Sequence, residues 1–182
     1  MLIQINISDL GFNPNLEFGY KKRTELEPDL LEAIEKIKKA DHMVWIFPMW
    51  WFGCPGFIKS FIDRTFLPGI PYEPVQENAL PKKLLKGKTA GIIITADTSK
   101  WYDSSFMKSP AIHQFKKGTL EFCGISPVKV AYILPIKNSK INYKKNWLDK
   151  TELLGEKRTQ LLQKLYLMIL ACLKQFLYTF YS

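Results

Sequence analysis

Short, almost wholly apolar runs alternate along this chain with longer stretches in which apolar residues recur every third or fourth position. The first kind predicts buried strands and the second predicts helices with one buried face. Met43 to Phe47 is apolar at every position, the pattern of a strand covered on both sides. Ala90 to Thr95, carrying Ile92-Ile93-Ile94, predicts a second such strand, and Val128, Val130, Tyr132 and Leu134 alternate as a third. Leu2, Ile3, Ile5 and Ile7 predict one more strand over residues 2–7.

Between these runs the spacing is helical. Leu30, Ile34 and Ile37 form one stripe at i, i+4 and i+7. Pro28 suits the first turn of that helix, Asp29 and Glu32 its positive end, and Lys36, Lys38 and Lys39 its negative end. Phe57, Ile58, Phe61, Ile62 and Phe66 mark a helix that begins near Pro55. Ala111, Ile112, Phe115, Leu120 and Phe122 predict another, ending at Gly124 as its C′ residue. Ile141, Leu148, Thr151 and Leu154 predict a last one, stopped by Gly155. Polar segments from Ser8 to Thr24 and Leu67 to Gly87 read as connections. The order β-α-β-α-β-α-β-α predicts an α/β fold, a doubly wound parallel sheet in three layers with helices on both faces.

Residues 1–155 form one predicted domain, and 156–182 an apolar helical extension. In the extension, Leu165 to Leu173 is uncharged but too short to span a bilayer. Its apolar positions are not cleanly separated from basic ones, so packing on the domain or on a partner subunit is expected before membrane contact. The chain has 182 residues and a formal charge of +9, with lysines in small dispersed groups. That dispersal reads as a solvated surface and argues against a nucleic-acid face. Cys54, Cys123 and Cys172 have no metal-like or CxxC spacing, so reduced thiols in a cytoplasmic protein are expected.

Ligands of open α/β sheets bind outside the carboxyl ends of the strands. The strand ending at Phe47 runs into Pro48-Met49-Trp50-Trp51-Phe52-Gly53, and the one ending near Ile94 into Thr95-Ala96-Asp97-Thr98, then Trp101-Tyr102. Three adjacent aromatic residues in one loop cannot all face one core, so at least one is expected to be exposed or covered by a flat ligand. His42 and His113 have no metal-ligand spacing, and His42 reads as structural. Cys54 sits beside the aromatic loop, where a helix N-terminus would lower its pKa.

The run Phe47 to Lys59, then Ile62-Asp63-Arg64-Thr65-Phe66 and Gly69-Ile70-Pro71-Tyr72, resembles the flavodoxin-like NAD(P)H dehydrogenase (quinone) family. Asp9-Leu10-Gly11-Phe12-Asn13-Pro14, Leu26-Glu27-Pro28-Asp29, Asp97-Thr98 with Trp101-Tyr102, and Leu120 to Ile125 continue the resemblance over about residues 2–155. It implies a bound flavin, FAD or FMN, NAD(P)H as co-substrate, a quinone or similar electrophile as acceptor, and a homodimer. It also implies that Pro48, Met49, Trp50, Trp51 and Phe52 line the flavin ring, and that Thr95, Ala96, Asp97 and Thr98 hold its polar edge. Tyr72 and Tyr102 become candidates for the pocket wall and for a phenolic hydrogen bond to the acceptor, although packing explains either position equally well. His113 becomes a candidate for balancing charge on the reduced ring.

On this resemblance Met1 falls at the family's second strand, and the family's opening strand, phosphate loop and first helix lie outside the sequence. The alternative it leaves is a non-catalytic flavodoxin-like partner subunit, such as an ancillary protein of a potassium-efflux system.

Overall fold

The computed structural model describes residues 2–19, 21–75, 80–136 and 140–156. Its main sheet has three strands in the order β1-β4-β5: β1 (His42–Pro48), β4 (Thr89–Thr95) and β5 (Val128–Ile133). A separate antiparallel ribbon, β2 (Tyr72–Glu73) with β3 (Lys82–Lys83), lies within the segment expected to be an irregular connection. Both pairings of the main sheet are parallel, with Pro48 opposite Thr95 and Thr95 opposite Ile133. The three carboxyl ends are therefore level, and the loops that leave them start from one floor.

Strand periodicity sorts the side chains. Met43, Trp45 and Phe47 face the same side as Ala90, Ile92, Ile94 and Val128, where they join Leu30, Phe61, Phe115 and Leu120 in the main core. Helices α1 (Pro28–Lys39) and α2 (Gly56–Thr65) cover that side, with α3 (Pro110–Ile112), which continues as a π-wound helix, His113–Glu121. On the other side Ile46, Ile93 and Ile133 meet Tyr143 and Trp147 of α4 (Ile141–Glu156). Helices on both faces make three layers, as the sequence predicts. The stripe Leu30, Ile34, Ile37 is buried, with Pro28 in the first turn of α1.

One expectation fails. Residues 2–7 form no strand: 2–6 are irregular and Ile7–Asp9 is one 3-10 turn, with Leu2 and Ile3 exposed. An alternating sequence becomes a strand only when a neighbour completes its ladder, and among the described residues no strand pairs with this segment. Gly155 is the last residue but one of α4 as described, so whether it stops this helix lies outside the described residues. The expected helical extension lies outside the described residues, apart from Glu156.

Gly124 does end its helix as predicted. Ile125 N–H donates to the Leu120 carbonyl (3.1 Å) and Gly124 N–H to Glu121 (3.2 Å), the paired bonds of a Schellman stop, with Gly124 at φ 101°. A Cβ there would stand 2.9 Å from Lys83 Cβ and 3.1 Å from the Lys86 backbone nitrogen. Gly124→Ala is expected to cost about 2 kcal/mol through strain and crowding together, measured as a lower urea midpoint.

Part of the positive charge works inside the fold. Lys88 Nζ donates to the Lys38 and Ala40 carbonyls at the end of α1, and Lys83 Nζ to the Glu121 carbonyl. Cations at helix C-termini complement the helix dipole.

Candidate active site

At the end of β1 the chain makes a four-residue turn. Trp50 N–H donates to the Gly53 carbonyl (3.0 Å) and Gly53 N–H to the Trp50 carbonyl (2.9 Å). The residues between them, Trp51 at φ 49° and Phe52 at φ 58°, are both left-handed. This is the geometry of a type I′ turn, whose central positions suit Asn and Gly. Two aromatic residues there carry strain of order 1–3 kcal/mol each. The turn holds Trp51 99% exposed and Trp50 half exposed at the level strand ends.

The strain gives a signed prediction. Trp51→Asn removes no buried contact and places a residue at ease in this conformation. It is expected to stabilise the ligand-free chain by about 1 kcal/mol, read as a higher urea midpoint, while weakening any ring bound against the turn.

The second loop is tied to the first. Met49 N–H donates to the Thr95 carbonyl (2.8 Å). Thr95 and Ala96 are buried, Asp97 is exposed and Thr98 is half-buried. Beyond them, a single π turn (Tyr102–Phe106) stacks Tyr102 on Phe106 at 5.2 Å and brings Tyr102 to 6.0 Å from Phe52. Trp101 and Phe106 are exposed beside it. The start of the π-wound helix closes a third side, since a Cβ on Gly53 would meet Gln114 Oε1 at 3.8 Å.

Of the residues named from the sequence, Pro48, Met49, Trp50, Trp51 and Phe52 share one loop, Thr95 to Thr98 lie alongside, and Tyr102 joins them through Phe52. His113, exposed at the start of the π-wound helix, lies next to Gln114 with Nδ1 3.2 Å from the Ser109 carbonyl. Tyr72 packs elsewhere in the same core, its ring 5.3 Å from Phe122 at the far end of that helix. His42 bonds Thr89 Oγ1 across two strands (2.6 Å), which fits a structural role.

Cys54 does not have the lowered pKa that its place near a helix N-terminus suggests. Burial pushes its thiol up, outweighing the opposing effects of its own backbone N–H and of Lys59. Burial likewise raises Cys123 to about 12. Both are free thiols, and neither is an activated nucleophile.

A polar cluster under the aromatic loop escaped sequence reasoning. Tyr132, half-buried on β5, donates its hydroxyl to Met49 Sδ (2.9 Å). Burial, and then the negative charge of Asp103 nearby, push its phenol well above the usual range, so the hydroxyl remains a donor. Asp103 is completely buried and accepts a hydrogen bond from Ser109 Oγ at Oδ2 (2.7 Å). Ser109 N–H also donates to the Asp103 carbonyl (2.8 Å). Lys108 and Ser109 form a second left-handed pair, at φ 58° and 48°. The only signal in the sequence was a carboxylate directly after Trp101-Tyr102.

The family model described as a flavodoxin-like fold matches residues 2–151. The chain belongs to this family. It is 31% identical over 114 residues to a human ribosyldihydronicotinamide dehydrogenase [quinone], covering 58% of this chain and 46% of that protein. It is also 31% identical over 117 residues to an FMN-dependent NADH:quinone oxidoreductase of Hydrogenovibrio crunogenus, covering 64% and 56%. The crystal structure of Smu.1420 from Streptococcus mutans superposes with a TM-score of 0.65 at 29% identity, covering 72% of this chain and 68% of that one. The chain thus spans about half the length of the curated relatives it matches.

The outward-facing aromatic turn fits the planar, conjugated ring of a flavin. Its rings offer apolar faces, while the adjacent Thr95-to-Thr98 loop offers hydroxyl, carboxylate and backbone groups along one edge.

Proposed function

We propose that this chain is a flavin-dependent NAD(P)H:quinone oxidoreductase. The observation that carries the reading is the strained Trp50–Gly53 turn, which holds Trp51 and Phe52 left-handed at the carboxyl ends of a parallel sheet. Strain of this kind persists where the surrounding structure uses it. The family and the names of its relatives support the same reading.

A bound flavin, FMN or FAD, supplies two-electron hydride transfer between NAD(P)H and a quinone or similar electrophile. The chain's own groups bind and orient. Trp50, Trp51 and Phe52, with Pro48 and Met49, cover the ring and exclude water. Thr95, Ala96, Asp97 and Thr98 hold its polar edge. Tyr102, standing against Phe52, forms a wall and offers its phenol to the acceptor. His113, with Nδ1 3.2 Å from the Ser109 carbonyl at the start of the π-wound helix, is placed to balance charge on the reduced ring. Tyr72, at the Phe122 end of the core, serves a wall of the pocket formed in a homodimer. A cytoplasmic setting agrees with the free thiols of Cys54 and Cys123.

The test is direct. The purified protein is titrated with FMN and with FAD, and NADH or NADPH oxidation is followed with a quinone acceptor. Flavin uptake with quinone-dependent oxidation is expected. Uptake of neither flavin would overturn the proposal.

A further inference from the structure

Asp103 is a carboxylate sealed in the fold with no cation paired to it among the described residues. It is 0% exposed, and Oδ2 accepts from Ser109 Oγ. Oδ1 meets no donor at hydrogen-bonding geometry. The Tyr132 hydroxyl, which donates to Met49 Sδ, also stands within hydrogen-bonding reach of this carboxylate. Among the described residues no lysine, arginine or histidine forms an ion pair with Asp103. Burying an unpaired carboxylate is costly, and a neutral side chain of the same shape would avoid most of that cost.

Its location links the cost to the site. Asp103 follows Tyr102, whose ring faces Phe52. Through Ser109 it fixes the Lys108–Ser109 turn from which α3 starts. Tyr132 stands between Asp103 and Met49, at the base of the strained aromatic turn. The carboxylate therefore lies beneath the floor on which a flavin ring would rest, and low-dielectric packing lets its charge act over that distance.

We propose that Asp103 is a positioning residue that sets the reduction potential of the bound flavin, its buried negative charge disfavouring the more electron-rich, reduced ring. This rests on the flavin reading above. Reduction adds two electrons to the ring, and a fixed anion below it opposes that gain. The pocket then yields hydride to acceptors more readily than it would over a neutral floor. The same carboxylate, through Ser109, keeps the Tyr102 segment in place.

Asp103→Asn tests this, because an amide keeps the shape and can still accept from Ser109 while losing the charge. The protein is loaded with FMN, and the midpoint potential is measured by equilibration with reference dyes. We expect reduced FMN to bind about tenfold more tightly relative to oxidised FMN than in the parent, a positive shift of about 30 mV for two electrons. Without ligand, the urea midpoint of Asp103→Asn should equal or exceed that of the parent. Ser109→Ala, which keeps the charge, should lower stability and leave the potential within a few millivolts of the parent value. A parent that binds FMN with a potential unmoved by Asp103→Asn overturns this proposal alone. So does a lower stability in Asp103→Asn with no change in potential, the result of a merely structural carboxylate. A parent that takes up neither FMN nor FAD overturns the flavin reading and this proposal with it.

Discussion

Glu27→Ala is expected to destabilise the protein by about 3 kcal/mol, because it strands a buried cation. Arg64 is 0% exposed in the last turn of α2. Its Nη2 donates to Glu27 Oε2 (2.8 Å) and to the Glu25 carbonyl (2.8 Å), and its Nη1 to Glu27 Oε1 and the Asn13 carbonyl. One guanidinium thus gathers the long connection before α1 onto α2. Glu27 is the only carboxylate paired with it among the described residues. The Glu27 side chain is 28% exposed, so water reaches part of the gap, and the cost falls at the low end of the range for a broken buried pair. Glu27 also accepts from Asn13 N–H (2.9 Å), which the alanine variant loses too.

A pH profile checks the same pair in the parent. Burial by itself would raise the Glu27 pKa, but backbone hydrogen bonds from Asn13 and Glu27, then the Arg64 charge, outweigh it and hold the carboxyl below its ordinary 4.5. A carboxyl lowered on folding stabilises the protein above its unfolded pKa and loses that contribution as pH falls through its folded value. Urea midpoints should therefore fall below about pH 4.5 more steeply in the parent than in Glu27→Gln. Equal slopes would remove Glu27 from the explanation.

Phe115→Ala is expected to cost about 4 kcal/mol, the usual scale for deleting a buried phenyl ring. Phe115 is 2% exposed and wedges between Trp45 (5.1 Å) and Phe47 (4.9 Å). It therefore joins the π-wound helix to β1, the strand that runs into the aromatic turn. Phe115→Leu should retain most of the volume and cost about 1 kcal/mol. A loss below about 1 kcal/mol in the alanine variant would show that the neighbours collapse into the space. The leucine variant allows the comparison if the alanine protein fails to accumulate. Gln114 and His113 precede Phe115 on the helix, so the alanine variant should also weaken flavin binding by more than its stability loss alone would.

The core was readable because burial leaves period-2 and period-3.6 traces. Leu30, Ile34 and Ile37 are buried as their spacing predicts, and so are Phe47, Ile92 and Ile94. Residues 2–7 carried a strand-like pattern without a strand, because alternation records two-sided chemistry and not the presence of a partner. Arg64 gave no signal: a charged residue late in a helix reads as solvated, and its burial depends on carbonyls 39 and 51 residues away. The π winding of His113–Glu121 was also hidden, since its apolar residues fit an ordinary helix well enough.

The site divides in the same way. Trp50, Trp51 and Phe52 were visible as an aromatic run directly after a buried strand, and three adjacent rings in one loop cannot all face one core. Asp103, Ser109 and Tyr132 were not visible, because their meeting depends on a turn, a π segment and a strand brought together only by the tertiary fold.

The two left-handed pairs, Trp51-Phe52 and Lys108-Ser109, bear on how this sequence can drift. At each position glycine or asparagine would relax the backbone. A library of variants sorted only for resistance to heat or protease should therefore lose the original residues there first. The same library sorted for retained yellow colour should keep Trp51-Phe52, and the contrast between the two pools would map which strained positions selection for function maintains.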